Sequence, residues 1–146
     1  MFIIGIVIFL AFLVGSAFFS GAPMVFLDLP SLIVILTLSV TVLLISGLIG
    51  DFFKGFKLMG KKENPYSSIE LKRICEALKL SIRSVLLSGI FGTLLGTVSV
   101  LWNTSEPSFI LQNFGVAALT LLYAIVFIFV LLPVQAKAKA VLATLE

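Results

Sequence analysis

Residues 68–102 read SIELKRICEALKLSIRSVLLSGIFGTLLGTVSVLW, and the change of character within that run decides the fold. Its first half is amphipathic. Ile69, Ile74, Ala77, Leu78, Ile82 and Val85 follow a helical stripe, while Lys72 and Glu76 stand at i,i+4 on the wet face. Its second half, from about Ser84 to Trp102, carries no charge and is long enough for one bilayer-spanning helix, which needs about 17–25 residues. No breaker separates the two. Ser67-Ser68-Ile69-Glu70 has the capping-box spacing, in which hydroxyl and carboxylate each satisfy a free backbone N–H at a helix start. One helix from about 68 to 102 is therefore expected. At about 1.5 Å per residue it measures roughly 50 Å, against a hydrocarbon core of about 30 Å. It should project from the membrane on its basic side, as an oligomer with an intracellular rim would require.

Three further apolar stretches accompany it: residues 2–19 (FIIGIVIFLAFLVGSAFF), about 29–49 and about 112–132. Met1-Phe2-Ile3-Ile4 lacks the basic start of a signal peptide, so the first stretch reads as a retained span. The whole chain agrees. Of its 146 residues 60% are hydrophobic and 12% charged, with a mean hydropathy of +1.25. Soluble domains carry about 25% charged residues, so a secreted or cytosolic globule is ruled out. Four transmembrane helices in a single membrane domain, residues 1–146, is the expected all-α fold.

The 10 Lys and Arg orient the spans. Lys54, Lys57, Lys61, Lys62, Lys72, Arg73, Lys79 and Arg83 lie between spans two and three, and Lys137 and Lys139 follow span four. The opposite loops, about 20–28 and 103–111, hold no basic residue and, of acids, Asp28 and Glu106. Basic residues stay on the cytoplasmic side, so both termini and segment 51–83 are expected there. The pI near 9.2 thus reflects topology and gives no support to nucleic-acid binding.

Within segment 51–83, Phe52, Phe53 and Phe56 alternate with Lys54 and Lys57, which suits a stretch lying in the headgroup layer. Gly60-Lys61-Lys62-Glu63-Asn64-Pro65 reads as a turn. Asp51, at the inner end of span two, can be solvated. Asn103-Thr104-Ser105 matches a glycosylation sequon, a pattern too short to weigh.

Chemistry is sparse. The chain has no His and a single Cys, Cys75, which removes His acid–base chemistry, a Cys/His zinc site and an intrachain disulfide. No catalytic residue, metal site or cofactor is expected, and no enzyme. No ionisable residue stands in the middle of any span, where ion relays place them, so an acid for proton transfer would have to come from another chain. A four-span drug exporter fits poorly for the same reason. Asp28 directly precedes Leu29-Pro30-Ser31 and reads as an N-cap, with Pro30 tolerated in the first turn.

Two faces inside the membrane stand out. Gly89, Gly92, Thr93, Gly96 and Thr97 share one face of span three, and Asn113, Ala117, Thr120 and Ala124 one face of span four. Close packing of helices in lipid explains small residues. A pore or partner groove lined by hydroxyls is the sharper alternative.

Three segments resemble the MotA/TolQ/ExbB family. Phe26-Leu27-Asp28-Leu29-Pro30-Ser31-Leu32-Ile33-Val34 resembles the aspartate–proline–serine entry to the second span in its MotA branch. Gly89-Ile90-Phe91-Gly92-Thr93-Leu94-Leu95-Gly96 resembles the family's G-x-x-G-T-x-x-G third span. Ala117-Ala118-Leu119-Thr120-Leu121-Leu122-Tyr123, with Pro133 closing the span, is similar to its fourth. The resemblance implies a homopentamer around two single-span partners of the MotB/TolR/ExbD kind. There the partner's membrane Asp takes the proton, or Na⁺ is the coupling ion, and ion flow delivers torque or force. It maps the family's third-span hydroxyl onto Thr93. Counting back from Pro133 puts the fourth-span threonine at Thr120, and aligning on Tyr123 puts Leu121 there instead. About thirty residues stand where a flagellar MotA has a much larger cytoplasmic insertion, which implies a minimal stator-like proton channel serving another load. A membrane scaffold that keeps the fold without conducting is the rival expectation.

Overall fold

The computed structural model describes residues 2–21, 23–60, 65–103 and 107–145. Among the described residues five α-helices follow one another: α1 (Phe2–Phe19), α2 (Leu29–Ile45), α3 (Ile49–Met59), α4 (Ser68–Asn103) and α5 (Pro107–Ala143), with a 3₁₀ turn at Pro23–Phe26 before α2. Among the described residues there is no strand. Four segments, α1, α2 together with the 3₁₀ turn before it (Pro23–Ile45), α4 and α5, are long and apolar enough to cross a membrane, which makes this a multi-pass membrane protein.

The expected single helix over 68–102 is present, and the capping box starts it. The Ser67 backbone N–H donates to Glu70 Oε2 at 3.1 Å, and the Glu70 N–H donates to Ser67 Oγ at 3.3 Å. The stripe that follows is buried at Ile74, Ala77, Leu78 and Val85, and Leu71 joins it. Ile82 is half-buried, and Ile69 departs from the stripe. It is 72% exposed, because Leu71 takes the inward position of the first turn.

Span two is shorter than expected. Gly47 adopts φ +68°, a left-handed conformation that only glycine takes without strain, and the Leu48 N–H returns to the Leu43 carbonyl at 3.2 Å. This closes α2 at Ile45, and Ile49 opens α3 instead of ending the span. The turn expected at 60–65 and the sequon fall largely on residues outside the described set.

Span four is longer than expected. Pro133 does not close it, since α5 runs on through Pro133 to Ala143. An interior proline costs about 3 kcal/mol through the lost hydrogen bond and the ring clash. Beyond it, Val134 and Ala138 are fully buried in the cluster that holds Ile74, Cys75 and Leu78 of α4. Burying one valine contributes about 1.5–3 kcal/mol, so packing offsets the break. The result is an antiparallel hairpin of 36 and 37 residues, in which α5 is as long as α4.

The core sits at the charged end of this hairpin, where α3 folds back on α4. Leu58 is buried there and Gly55 lies against Leu78. Phe52 packs edge-on against Phe53 and Phe56, with ring centroids 5.5 and 5.2 Å apart. α1 has no buried residue and leans on α5 through Phe9 and Phe129. Its apolar surface suits lipid, where exposed hydrocarbon is not a liability.

Candidate functional site

The glycines of α4 meet the small residues of α5 in register. A Cβ added at Gly92 would lie 2.5 Å from Thr120 Cγ2, and one added at Gly96 would lie 2.9 Å from Ala117 Cβ. One added at Gly89 would collide with Ala124 Cβ. Close packing therefore accounts for Gly89, Gly92, Gly96, Ala117 and Ala124, as small faces in lipid do.

α2 packs over this seam and supplies the polar groups. Ser31, 7% exposed, places its Oγ 2.7 Å from Thr120 Oγ1, itself 4% exposed. Ser31 Oγ also donates to Asp28 Oδ2. A serine hydroxyl has one proton, so Thr120 is the donor to Ser31 while Ser31 donates to the carboxylate. Asp28, Ser31 and Thr120 thus form one chain of hydrogen bonds joining α2 to α5.

Asp28 does stand at the N-cap position of α2, but it does not cap. Its carboxylate accepts no backbone N–H of the helix. Pro30 removes one of the donors a cap would use, and the Ser31 hydroxyl takes the carboxylate instead. The backbone of Asp28 is pinned from α5: its N–H donates to the Tyr123 hydroxyl at 2.9 Å, and that hydroxyl donates to the Phe26 carbonyl.

These groups open onto a groove of about 470 Å³ at the junction of α2, α4 and α5. Asp28, Pro30, Ser31, Gly92, Gly96, Asn113, Ala117 and Thr120 line it. The remaining expected residues do not. Thr93 is half-buried and donates its hydroxyl to the Gly89 carbonyl of its own helix at 2.9 Å. Thr97 is half-buried away from the groove, and Ala124 is fully buried under Gly89. The hydroxyl that meets Thr120 is that of Ser31. Ser31 and Tyr123 are the residues that spacing within one helix did not single out. The D-x-x-S spacing of Asp28 and Ser31 was the available signal, together with a tyrosine whose polar tip needs a partner in lipid.

A second polar cluster lies at the charged end. Asp51 is 5% exposed, not solvated as its position in the sequence allowed. It pairs with Arg73 Nε at 2.9 Å and Lys54 Nζ at 3.2 Å, and Lys54 reaches on to Glu70 Oε1 at 3.4 Å. Hydrogen bonding to Asp51, then to Glu70, raises the Lys54 pKa. The Ser67 backbone N–H, then Lys54, holds the Glu70 carboxyl below its ordinary value. Glu76 pairs with Lys79 at 3.4 Å on the wet face. Burial pushes the Cys75 thiol up, so it is a packing residue and not a reactive thiolate. This cluster fixes α3 to α4. Among the described residues no group of three or more His, Cys, Asp or Glu could hold a metal.

No protein-family model matches the chain, and no curated protein matches it significantly.

Proposed function

We propose that this chain is the ring-forming subunit of an ion-driven membrane complex, a minimal stator-like proton channel of the MotA/TolQ/ExbB kind. It would assemble as a pentamer in a bacterial inner membrane, with both termini and the charged end of the hairpin in the cytoplasm. Two copies of a single-span partner would supply the membrane Asp. The observation that carries this reading is the Asp28–Ser31–Thr120 chain facing a groove between three helices. Its hydroxyls offer a proton or a water successive positions, and the spans hold no central acid of their own. The sequence resemblance supports the same assignment, as does a hairpin longer than the bilayer is thick.

One observation favours the rival reading of a non-conducting scaffold. The Thr93 hydroxyl is spent on its own helix and that of Thr120 on Ser31, as purely structural hydroxyls would be. Proton flux into liposomes containing the chain and its partner separates the two. In a channel Thr120→Val abolishes partner-dependent flux while Thr93→Val leaves most of it. Flux that survives Thr120→Val assigns the hydroxyl chain to packing.

A further inference from the structure

A lateral groove of about 700 Å³ runs between α2 and α4 and shares no lining residue with the Asp28 site. Leu38 and Val42 of α2 and Leu87, Phe91 and Leu94 of α4 form its walls. Leu87 is 65% exposed and Leu94 59%, so the α4 wall is open to the side. The hydroxyls along it are already used within their own helices. Ser84 donates to the Ser81 carbonyl, Ser88 to Ser84 and Thr41 to Thr37. The walls therefore offer hydrocarbon contact and no free donor.

The end of the groove is different. Arg83 lines it, as the last charged residue before the uncharged part of α4. Among the described residues Arg83 has no carboxylate partner, whereas Lys54, Arg73 and Lys79 each have one. From Arg83 to Leu94 the helix rises by roughly 16 Å, about half the hydrocarbon thickness. The groove thus has the polarity and depth of one leaflet: a cation at the interface and a hydrocarbon slot reaching to the midplane.

We infer that the α2–α4 groove is a binding site for an anionic phospholipid of the leaflet on the charged side, its phosphate on Arg83 and an acyl chain between α2 and α4. Guanidinium suits phosphate because it donates two parallel hydrogen bonds, and basic pockets between membrane helices recognise anionic headgroups in this way. The site stands apart from the proposed conduction path and does not depend on it.

Quenching by brominated lipids tests the site in the reconstituted full chain. The chain has one tryptophan, Trp102, so Trp102→Phe combined with Leu87→Trp places a single reporter in the groove. Vesicles of phosphatidylcholine containing a minor fraction of phosphatidylglycerol are prepared with bromines on the acyl chains of one lipid or the other. Brominated phosphatidylglycerol should bind the groove with a preference of roughly fivefold over phosphatidylcholine, and Arg83→Gln should abolish that preference while Lys137→Gln preserves it. Equal quenching by both lipids with Arg83 intact would reduce the groove to ordinary annular contact and overturn the proposal. Absence of quenching by either would mean that a second copy or another chain covers the groove, which also overturns it.

Discussion

Ser31 Oγ and Thr120 Oγ1 lie 2.7 Å apart with both residues buried, joining helices whose residues are 89 positions apart in sequence. A buried hydroxyl left without its partner costs about 1–3 kcal/mol. Thr120→Val and Ser31→Ala should each destabilise the protein in detergent by about that amount. Because they share one bond, the double variant should cost clearly less than the sum. Thermal unfolding of the four proteins measures the cycle, and additive effects would mean that the two hydroxyls do not interact.

The glycine register makes a sharper steric prediction. Gly89→Ala and Gly92→Ala insert a methyl group where Ala124 and Thr120 already stand, and overpacking of this kind costs about 1–3 kcal/mol. Gly115 has nothing within 4 Å of an added Cβ. Gly115→Ala should be neutral or stabilising by up to about 1 kcal/mol, the helix-propensity gain. Comparable melting temperatures for all three variants would contradict the packing described here.

The Asp51 cluster should show redundancy. Arg73 is 59% exposed and Lys54 36%, so loss of either alone should cost little after solvent screening. Removing both, as Arg73→Ala with Lys54→Ala, strands a buried carboxylate and should cost about 3 kcal/mol or more. Chemical denaturation of single and double variants checks the excess, and Asp51→Asn in the double background should recover part of the loss.

The pH dependence follows from Glu70. Its folded-state pKa is lowered, so its contribution is present above the ordinary glutamate value of 4.5 and is lost as pH falls through the lower folded value. Lys54 runs the other way, since its raised pKa gives stability below 10.5 that is lost as pH climbs past the folded value. Unfolding midpoints across acidic pH should therefore decline less steeply in Glu70→Gln than in the parent chain. An unchanged slope would remove Glu70 from the acid transition.

How much of this was legible depended on whether the signal was local. The spans announce themselves by uncharged length, and the capping box at Ser67–Glu70 and the continuous α4 follow from spacing along one helix. What failed was set by tertiary packing. Pro133 looked like a terminus because the burial of Val134 and Ala138 against α4 cannot be seen from α5 alone. The sequence leaves Asp51 open to solvent because its burial requires α3 to fold back onto Arg73. For the site, helical periodicity singled out Thr93 and Thr120 on their own helices, but it does not show which side chain of another helix meets Thr120. The true partner, Ser31, lies on α2, and nothing in either local sequence encodes that crossing.

The central claim is that this chain forms a ring around an acid-bearing partner, and native mass determination of the detergent-purified complex tests it most directly. The chain should be co-expressed with its genomic neighbours and whatever co-purifies identified. The account predicts five copies of this chain with two of a single-span protein carrying a membrane Asp. A monomer or dimer with no such partner would contradict it, leaving a four-span bundle whose hydroxyl chain holds α2 to α5 and nothing more.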